Sequence, residues 1–339
     1  MHKFIYITIM LLMIGISSNA ENITYTFNNA GQTGRLGPSQ AQINNAYSST
    51  NLNGEVTSDN GIQIWTINHT GYYTIEAWGA AGADGTYNND TGSYYRNGGK
   101  GARMKGSFLL NEGDQLKILV GQMGVRETSY AHQAGGGGGG TFVTFLDNTP
   151  LIIAGGGGGG GNGRYGQEHG GNGLTGTSGG TAYDGPNAAG GTNGSGGEAR
   201  EYQGSGAGLT GNGDNGVQGA AYVINSLSFV NGGSGGYATS WATNSHGGFG
   251  GGGASALLPG GGGGYSGGGA SGDWASYGAG AGGGSYNIGT NQDNASGINS
   301  GHGLVMITFD NSQIIPEPCS MVLLFFGLLA LWKLRLSRA

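Results

Sequence analysis

Residues 151–161 read LIIAGGGGGGG: apolar residues suited to a buried strand run straight into seven glycines with nothing to pack. Six glycines likewise precede Thr141-Phe142-Val143, and further runs fall at 247–253 and 259–264. A glycine run loses more backbone entropy on ordering than any other sequence, and it has no side chains to offset the loss. Two structures answer this constraint. The runs are flexible linker, or they are extended helices of three residues per turn packed side by side. In the second case backbone bonds to backbone, and only glycine fits so crowded a contact.

Composition bears on the choice. Glycine supplies 81 of 339 residues and proline only 6, and no strict Gly-X-Y period runs through the chain, which excludes collagen. Disordered chains are poor in aromatics and rich in charge. This one has 17 Tyr, 10 Phe and 5 Trp, and only 9% of its residues are charged, so order in the glycine region is favoured. Setting aside Lys3, Lys333, Arg335 and Arg338 leaves nine cations against 19 acids. Such an acidic body repels phosphate backbones, which argues against nucleic acid as a partner. Cys319 is the only cysteine, so neither a disulfide within the chain nor a cysteine metal site is expected.

Residues 1–20 combine Lys3, an apolar run over 4–16 and the small residues Ser18 and Ala20. This pattern predicts a secretory signal peptide cleaved between Ala20 and Glu21. At the other end, Pro316-Glu317-Pro318 cannot be helical. An apolar run over 321–332 and the basic Lys333, Arg335 and Arg338 follow. At 1.5 Å per residue, 319–336 spans about 27 Å, close to the roughly 30 Å of a bilayer core. A membrane helix over about 319–336 is expected, its flanking cations snorkelling and its basic end cytoplasmic.

Between these ends, 21–311 is predicted to be one mainly β domain, with the glycine-helix region at about 135–301. Strands are expected at 25–27, 61–67, 72–78, 102–110, 115–120, 141–146, 151–154 and 304–309, with a short helix from Ser39. The turns 68–71, 111–114 and 147–150 are expected to join successive strands as pairs. Residues 221–230 are the one long apolar interruption of the glycine region and a candidate strand. Strands at both ends imply that the last returns to pair with the first half, as in an antiparallel sandwich.

Catalytic chemistry is not legible. Three glycines at fixed spacing arise by chance in so glycine-rich a chain, and no helix pattern follows Gly161, Gly163 and Gly166. Among His69, His132, His169, His246 and His302 no two stand at metal-ligand spacing. Asp84 and Asp90 lie in a Gly/Asn-rich stretch whose alternatives are a solvated turn and an oxygen-rich Ca²⁺ loop. A hydrolase would require acids such as Glu76 and Glu112 to converge. No catalytic residue, metal ligand or cofactor is therefore assigned, and the ligand-binding residues stay open. Tyr87, Tyr94, Tyr95, Tyr130, Tyr237, Trp241, Tyr265, Trp274 and Tyr277 suit either contact with an extracellular polysaccharide or capping of the glycine helices.

Two stretches resemble known families. Pro316-Glu317-Pro318, a short hydrophobic helix and a basic terminus, in that order, resemble the PEP-CTERM sorting signal of Gram-negative bacteria. That resemblance implies recognition and processing by an exosortase-like transpeptidase, with the membrane as a temporary anchor. The body resembles the glycine-rich domain of the anaplastic lymphoma kinase and leukocyte tyrosine kinase receptors. It does so through Gly34, Gly37-Pro38-Ser39-Gln40-Ala41-Gln42, Asn45-Ala46-Tyr47 and Gly61-Ile62-Gln63-Ile64-Trp65. Further matches are Trp78-Gly79-Ala80-Ala81-Gly82, Ile118-Leu119-Val120-Gly121-Gln122, Leu151-Ile152-Ile153-Ala154, Gly247-Gly248-Phe249-Gly250 and Gly301-His302-Gly303. This resemblance implies a tumour-necrosis-factor-like antiparallel jelly roll with an inserted bundle of polyglycine II helices. Asn29 and Ile43 stand where the receptors carry cysteines, and no kinase segment is present. The expectation is a non-enzymatic, exported structural or adhesive protein of the cell surface or extracellular matrix. The alternative is a receptor-like binding module for a protein or glycan. Oligomeric state stays open.

Overall fold

The computed structural model describes residues 22–89, 92–126, 132–162, 169–182, 187–216, 222–239, 245–270, 272 and 278–311. The expected signal peptide with its Ala20–Glu21 junction, Pro316-Glu317-Pro318, the 319–336 helix and Lys333, Arg335 and Arg338 lie outside the described residues. Among those described, no helix is long and apolar enough to cross a membrane.

The chain is mainly β. In order come β1 (Ile23–Phe27), α1 (Gln40–Tyr47), β2 (Thr57–Asp59), β3 (Ile62–Thr66), β4 (Gly71–Trp78), β5 (Gly85–Asn89) and β6 (Gly92–Arg96). Then follow β7 (Gly101–Leu110), β8 (Gln115–Leu119), β9 (His132–Gln133), β10 (Thr141–Phe145) and β11 (Pro150–Ala154). The last are β12 (Val223–Ile224), β13 (Tyr237–Ala238), β14 (Tyr286–Asn287), β15 (Ala295–Asn299) and β16 (Leu304–Phe309). One sheet has the order β1-β16-β4-β7-β15 and a second β14-β11-β10-β8-β3-β2. Every pairing within them is antiparallel.

The two sheets close on one core because their strands alternate. Along β4, Tyr73, Ile75 and Ala77 are buried while Tyr72, Thr74, Glu76 and Trp78 are not. From β16 come Val305, Ile307 and Phe309, and from β7 Met104, Phe108 and Leu110. The opposing sheet adds Trp65, Leu116, Ile118, Val143 and Ile152. Tyr25 and Phe27 pack on the Trp65 ring at 4.6 and 5.6 Å between centroids. Continuous apolar runs such as LIIA arise because β10 and β11 are covered on both faces. Ile152 points into the core, whereas Phe142 and Ile153 meet Phe229 and Phe249 from the glycine region.

The short helix forms where its caps place it. Ser39 and Gln42 make a reciprocal capping box, and Ile43 and Tyr47, four residues apart, bury one face. The Tyr47 hydroxyl donates to Gln63 Oε1 at 2.7 Å, and burial pushes the phenol up to about 12.

Two expected pairings are corrected. The expected turns 68–71 and 111–114 do not close hairpins; each carries the chain from one sheet to the other. β3 pairs with β2 and β8, whereas β4 pairs with β7 and β16. The crossing turns bond to one another instead, Ile67 N–H to Asp114 O at 2.8 Å and Gly113 N–H to Ile67 O at 2.9 Å. The apolar stretch 221–230 does not form one strand either. Among its described residues only Val223–Ile224 pairs as a strand, and Phe229–Asn231 is a 3₁₀ turn that places Phe229 against Phe142. β10 and β11 do pair across their turn, and β16 returns to pair with β1 and β4.

Candidate functional site

The sandwich has two unlike ends. The start of β1, the end of β16 and the turns 67–70, 111–114 and 146–149 gather at one, as the pairs Ile23↔Phe309, Gly71↔Leu110 and Phe145↔Leu116 require. At the other end the strands run on into glycine-rich segments. β4 continues into 79–85, β8 into 120–125 and β11 into 155–161, while 135–140 leads into β10 and 301–303 into β16.

These segments bond with a period of three. Within 135–140, Gly135 and Gly138 donate to Gly160 and Gly157, Gly136 and Gly139 to Val125 and Gln122, and Gly137 and Gly140 to Gly253 and Gly250. Residues 260–265 repeat the pattern toward 135–138, 204–207 and 281–284. Each segment is thus an extended rod whose successive N–H groups point along three directions, as three residues per turn demand.

The rods pack too closely for side chains. A Cβ on Gly79, Gly82 or Gly85 would stand 2.1, 2.1 and 1.9 Å from the carbonyl oxygens of Gly155, Gly158 and Gly161. On Gly139 it would stand 1.7 Å from Phe249 O. Glycine serves here for space rather than for left-handed backbone. At Gly250 and Gly251, with φ of +100° and +80°, a chain reversal also needs that freedom. Alanines take the roomier positions, and Ala80, Ala207, Ala254 and Ala270 are buried there.

Among the described residues this framework carries two larger grooves. One of about 660 Å³ lies between the start of α1, the β2–β3 turn and residues 231–234. Leu36, Pro38, Gln42, Asn60 and Asn231 are among its neutral lining residues. Much of its amide capacity is already used, since Gln42 Nε2 donates to Gln32 Oε1 and Gln40 Oε1 accepts from Ser58 N–H. The second, of about 560 Å³, is cut into the lattice beside 279–282.

The remaining polar residues are parts of structure. Glu76 accepts from Trp78 Nε1 at 2.9 Å and pairs with Arg103 and Lys105 on the outer face of the first sheet; Arg103 also pairs with Asp293. Glu112 stands beside Thr70, which receives its N–H. Glu76 stands six positions from Thr70 along extended chain, about 20 Å, so these acids do not converge. Asp84, exposed just before β5, accepts from Gly98 N–H, while 85–89 form a strand; Asp90 lies outside the described residues.

The histidines are scattered. His69 stacks on Phe309, His246 on Tyr237, His169 Nδ1 accepts from Asn97 N–H, and His302 Nδ1 accepts from Met123 N–H. Burial pulls the His302 imidazole below its ordinary pKa. His132 lies in β9. Among the described residues no three His, Cys, Asp or Glu side chains gather to hold a metal.

Of the aromatic residues, Tyr265 stacks on Tyr286 at 4.7 Å and packs against the second apolar cluster, so it caps the rods. Tyr237 carries Arg35 5.1 Å over its ring, and Tyr95 is exposed. Tyr87 and Tyr94 are register partners in β5 and β6. Tyr130, Trp241, Trp274 and Tyr277 lie outside the described residues. The sheet β6-β5-β9 had no clear signal in the sequence, and neither did the second groove. One signal for the lattice was present: 79–85 reads GAAGADG, with glycine at every third place.

No protein-family model matches the chain. Over 103 residues, 30% of this chain, it is 35% identical to the leukocyte tyrosine kinase receptor of Mus musculus. The match spans 11% of that receptor.

Proposed function

We propose that this chain is an exported, non-enzymatic surface or matrix protein whose body is a stiff module. In this reading the rods are polyglycine II helices and the sandwich a jelly roll of the tumour-necrosis-factor type. The observation that carries it is the interlocking of 79–85, 135–140, 155–160 and 260–265 through backbone bonds, with their glycines buried. A body that spends this much sequence on rigidity, with no assembled catalytic group among its described residues, suits a structural or adhesive part.

Residues 1–20 would direct export, with cleavage after Ala20. Pro316-Glu317-Pro318, the 319–336 helix and the basic end would anchor the precursor until an exosortase-like transpeptidase processes it. Localising an epitope-tagged chain in its host, with the mass of its N-terminus, tests this part. Surface or medium localisation with a terminus at Glu21 is expected, and a stable cytoplasmic pool that keeps Met1 would refute it.

A second reading is favoured by the receptor similarity: an extracellular binding module for a protein or glycan. Pull-down and glycan-array experiments with the secreted protein separate the two. A saturable, selective ligand would shift the assignment from structural part to receptor-like module.

A further inference from the structure

The register of the first sheet sets four hydroxyl side chains in one row. Thr24, Thr308, Thr74 and Ser107 stand opposite one another on the adjacent strands β1, β16, β4 and β7. Their sequence neighbours Tyr25, Ile307, Tyr73 and Phe108 face the shared core, so the row faces outward. Thr24 is exposed, and its hydroxyl bonds that of Thr308 at 2.9 Å. Thr74 and Ser107 are half-buried, and among the described residues neither hydroxyl is held by another group. Neighbouring strands stand about 4.8 Å apart, so the row offers a hydroxyl at that interval over about 14 Å.

The rows on either side are taller. Tyr72 and Leu109, register partners that are 43% and 53% exposed, form one wall. Met306, Glu76 and Lys105 form the other. Tyr72 and Glu76 stand four residues apart on β4, about 13 Å. Short side chains thus floor a shallow trough that runs across the strands.

We propose that this trough binds an uncharged, extended polysaccharide chain, laid across the strands with its hydroxyls on the row and a sugar ring against Tyr72. The proposal rests on the second reading above, the extracellular binding module, and names its glycan site. The floor is hydroxyl where a protein interface would place its apolar centre. Each hydroxyl both gives and accepts a bond, as a sugar hydroxyl does, and the strand spacing is close to the length of a pyranose unit. Tyr72 adds a ring with an apolar face and a polar tip, suited to the C–H face of a sugar. The cations of these strands are already held, which disfavours an acidic glycan. Glu76 pairs with Arg103 at 3.4 Å and Lys105 at 3.7 Å, and Arg103 pairs with Asp293 as well. Asp310, whose N–H bonds Tyr72 O, adds an acid at the Tyr72 wall.

The test uses the full-length chain in a detergent without a sugar headgroup, titrated in a calorimeter with cellohexaose, mannohexaose and xylohexaose. Saturable millimolar binding of at least one is expected, with about tenfold weaker binding of a galacturonate hexamer. Thr74→Val keeps the β-branched shape and removes the hydroxyl; it should weaken binding about fivefold without changing the melting temperature. Ser107→Trp, which fills the floor, should abolish binding. If that variant unfolds, Tyr72→Thr replaces it, with about tenfold weaker binding expected. Tyr95→Ala, an exposed tyrosine outside this face, should leave binding unchanged. Equal or tighter binding of the galacturonate hexamer overturns the proposal. A neutral hexamer that binds the Thr74 and Ser107 variants as well as the parent sinks this site and leaves the glycan module standing. If no neutral hexamer binds, the site falls; a glycan array with the same protein then decides the module, which falls as a glycan binder only if the array is blank too.

Discussion

The sandwich and the glycine lattice solve the same problem with opposite materials. In the sandwich, side chains fill the space between two sheets, and backbone groups bond within each sheet. In the lattice nothing separates one backbone from the next, and bonds run in every direction across the rod axes. A strand repeats every two residues and a rod every three, so the chain changes period at Gly79, Gly121, Gly140, Gly155 and Gly303. Glycine is a liability in the first region and the only admissible residue at many places in the second. The comparison teaches that burial alone does not define a core. Phe27 and Gly157 are both buried, yet they stabilise by different means: one by apolar area, the other by proximity of dipoles.

Substitutions break this comparison most sharply in the lattice. At Gly157 a Cβ meets Gly99 O at 1.9 Å and Gly99 C at 2.3 Å, backbone that no rotamer can move. Gly157→Val should cost more than about 5 kcal/mol, enough to leave no cooperative unfolding transition in a thermal melt. The sandwich should instead respond to loss of volume. Trp65→Ala, which empties the centre of the shared core, should lower stability by about 3–5 kcal/mol in urea titration while the chain still folds. A Gly157→Val chain as stable as the parent would end the claim that crowding selects glycine. Ser39→Ala removes the hydroxyl half of the α1 capping box and should cost about 1 kcal/mol by the same titration.

Acid should act at the junction between the two regions. His302, whose folded pKa is held down by burial, resists the proton that an unfolded histidine takes up near pH 6.5. Its contribution is therefore intact above that pH and is lost as pH falls further. The melting temperature should drop between pH 7 and pH 5, and His302→Asn should flatten the slope; an unchanged slope would assign the loss elsewhere. The smallest effect is expected at Gly176, which has no atom within 4 Å of a built Cβ. Gly176→Ala should be neutral or stabilise by up to about 1 kcal/mol, the counterpart to Gly157 within the same glycine-rich region.

Much of the sandwich was legible in advance. Alternation and β-branched residues marked β3, β4, β7, β8, β10, β11 and β16, and Ser39 marked the helix start. Connectivity was less legible, because a turn that crosses between sheets looks like a hairpin turn. The short strands β2, β12, β13 and β14 carry too few residues to show a period. β15 reads ASGIN, with a glycine at φ +67° and a break in register, and hides for that reason. In the lattice, the presence of glycine runs was plain, but which rod meets which depends on contacts between segments far apart in sequence. The two grooves share that origin. Each is lined by segments more than 100 residues apart, such as Gly171 with Gly280 and Pro38 with Asn231.

Ile23 lies opposite Phe309, so the chain enters and leaves the body side by side at one end. Tension applied between those two ends would peel β1 from β16 one rung at a time, like a zipper, instead of shearing the ladder all at once. The rods, hanging from the far end of the strands, would carry none of that load. Under pull, the body would open from that end and surrender its glycine head last.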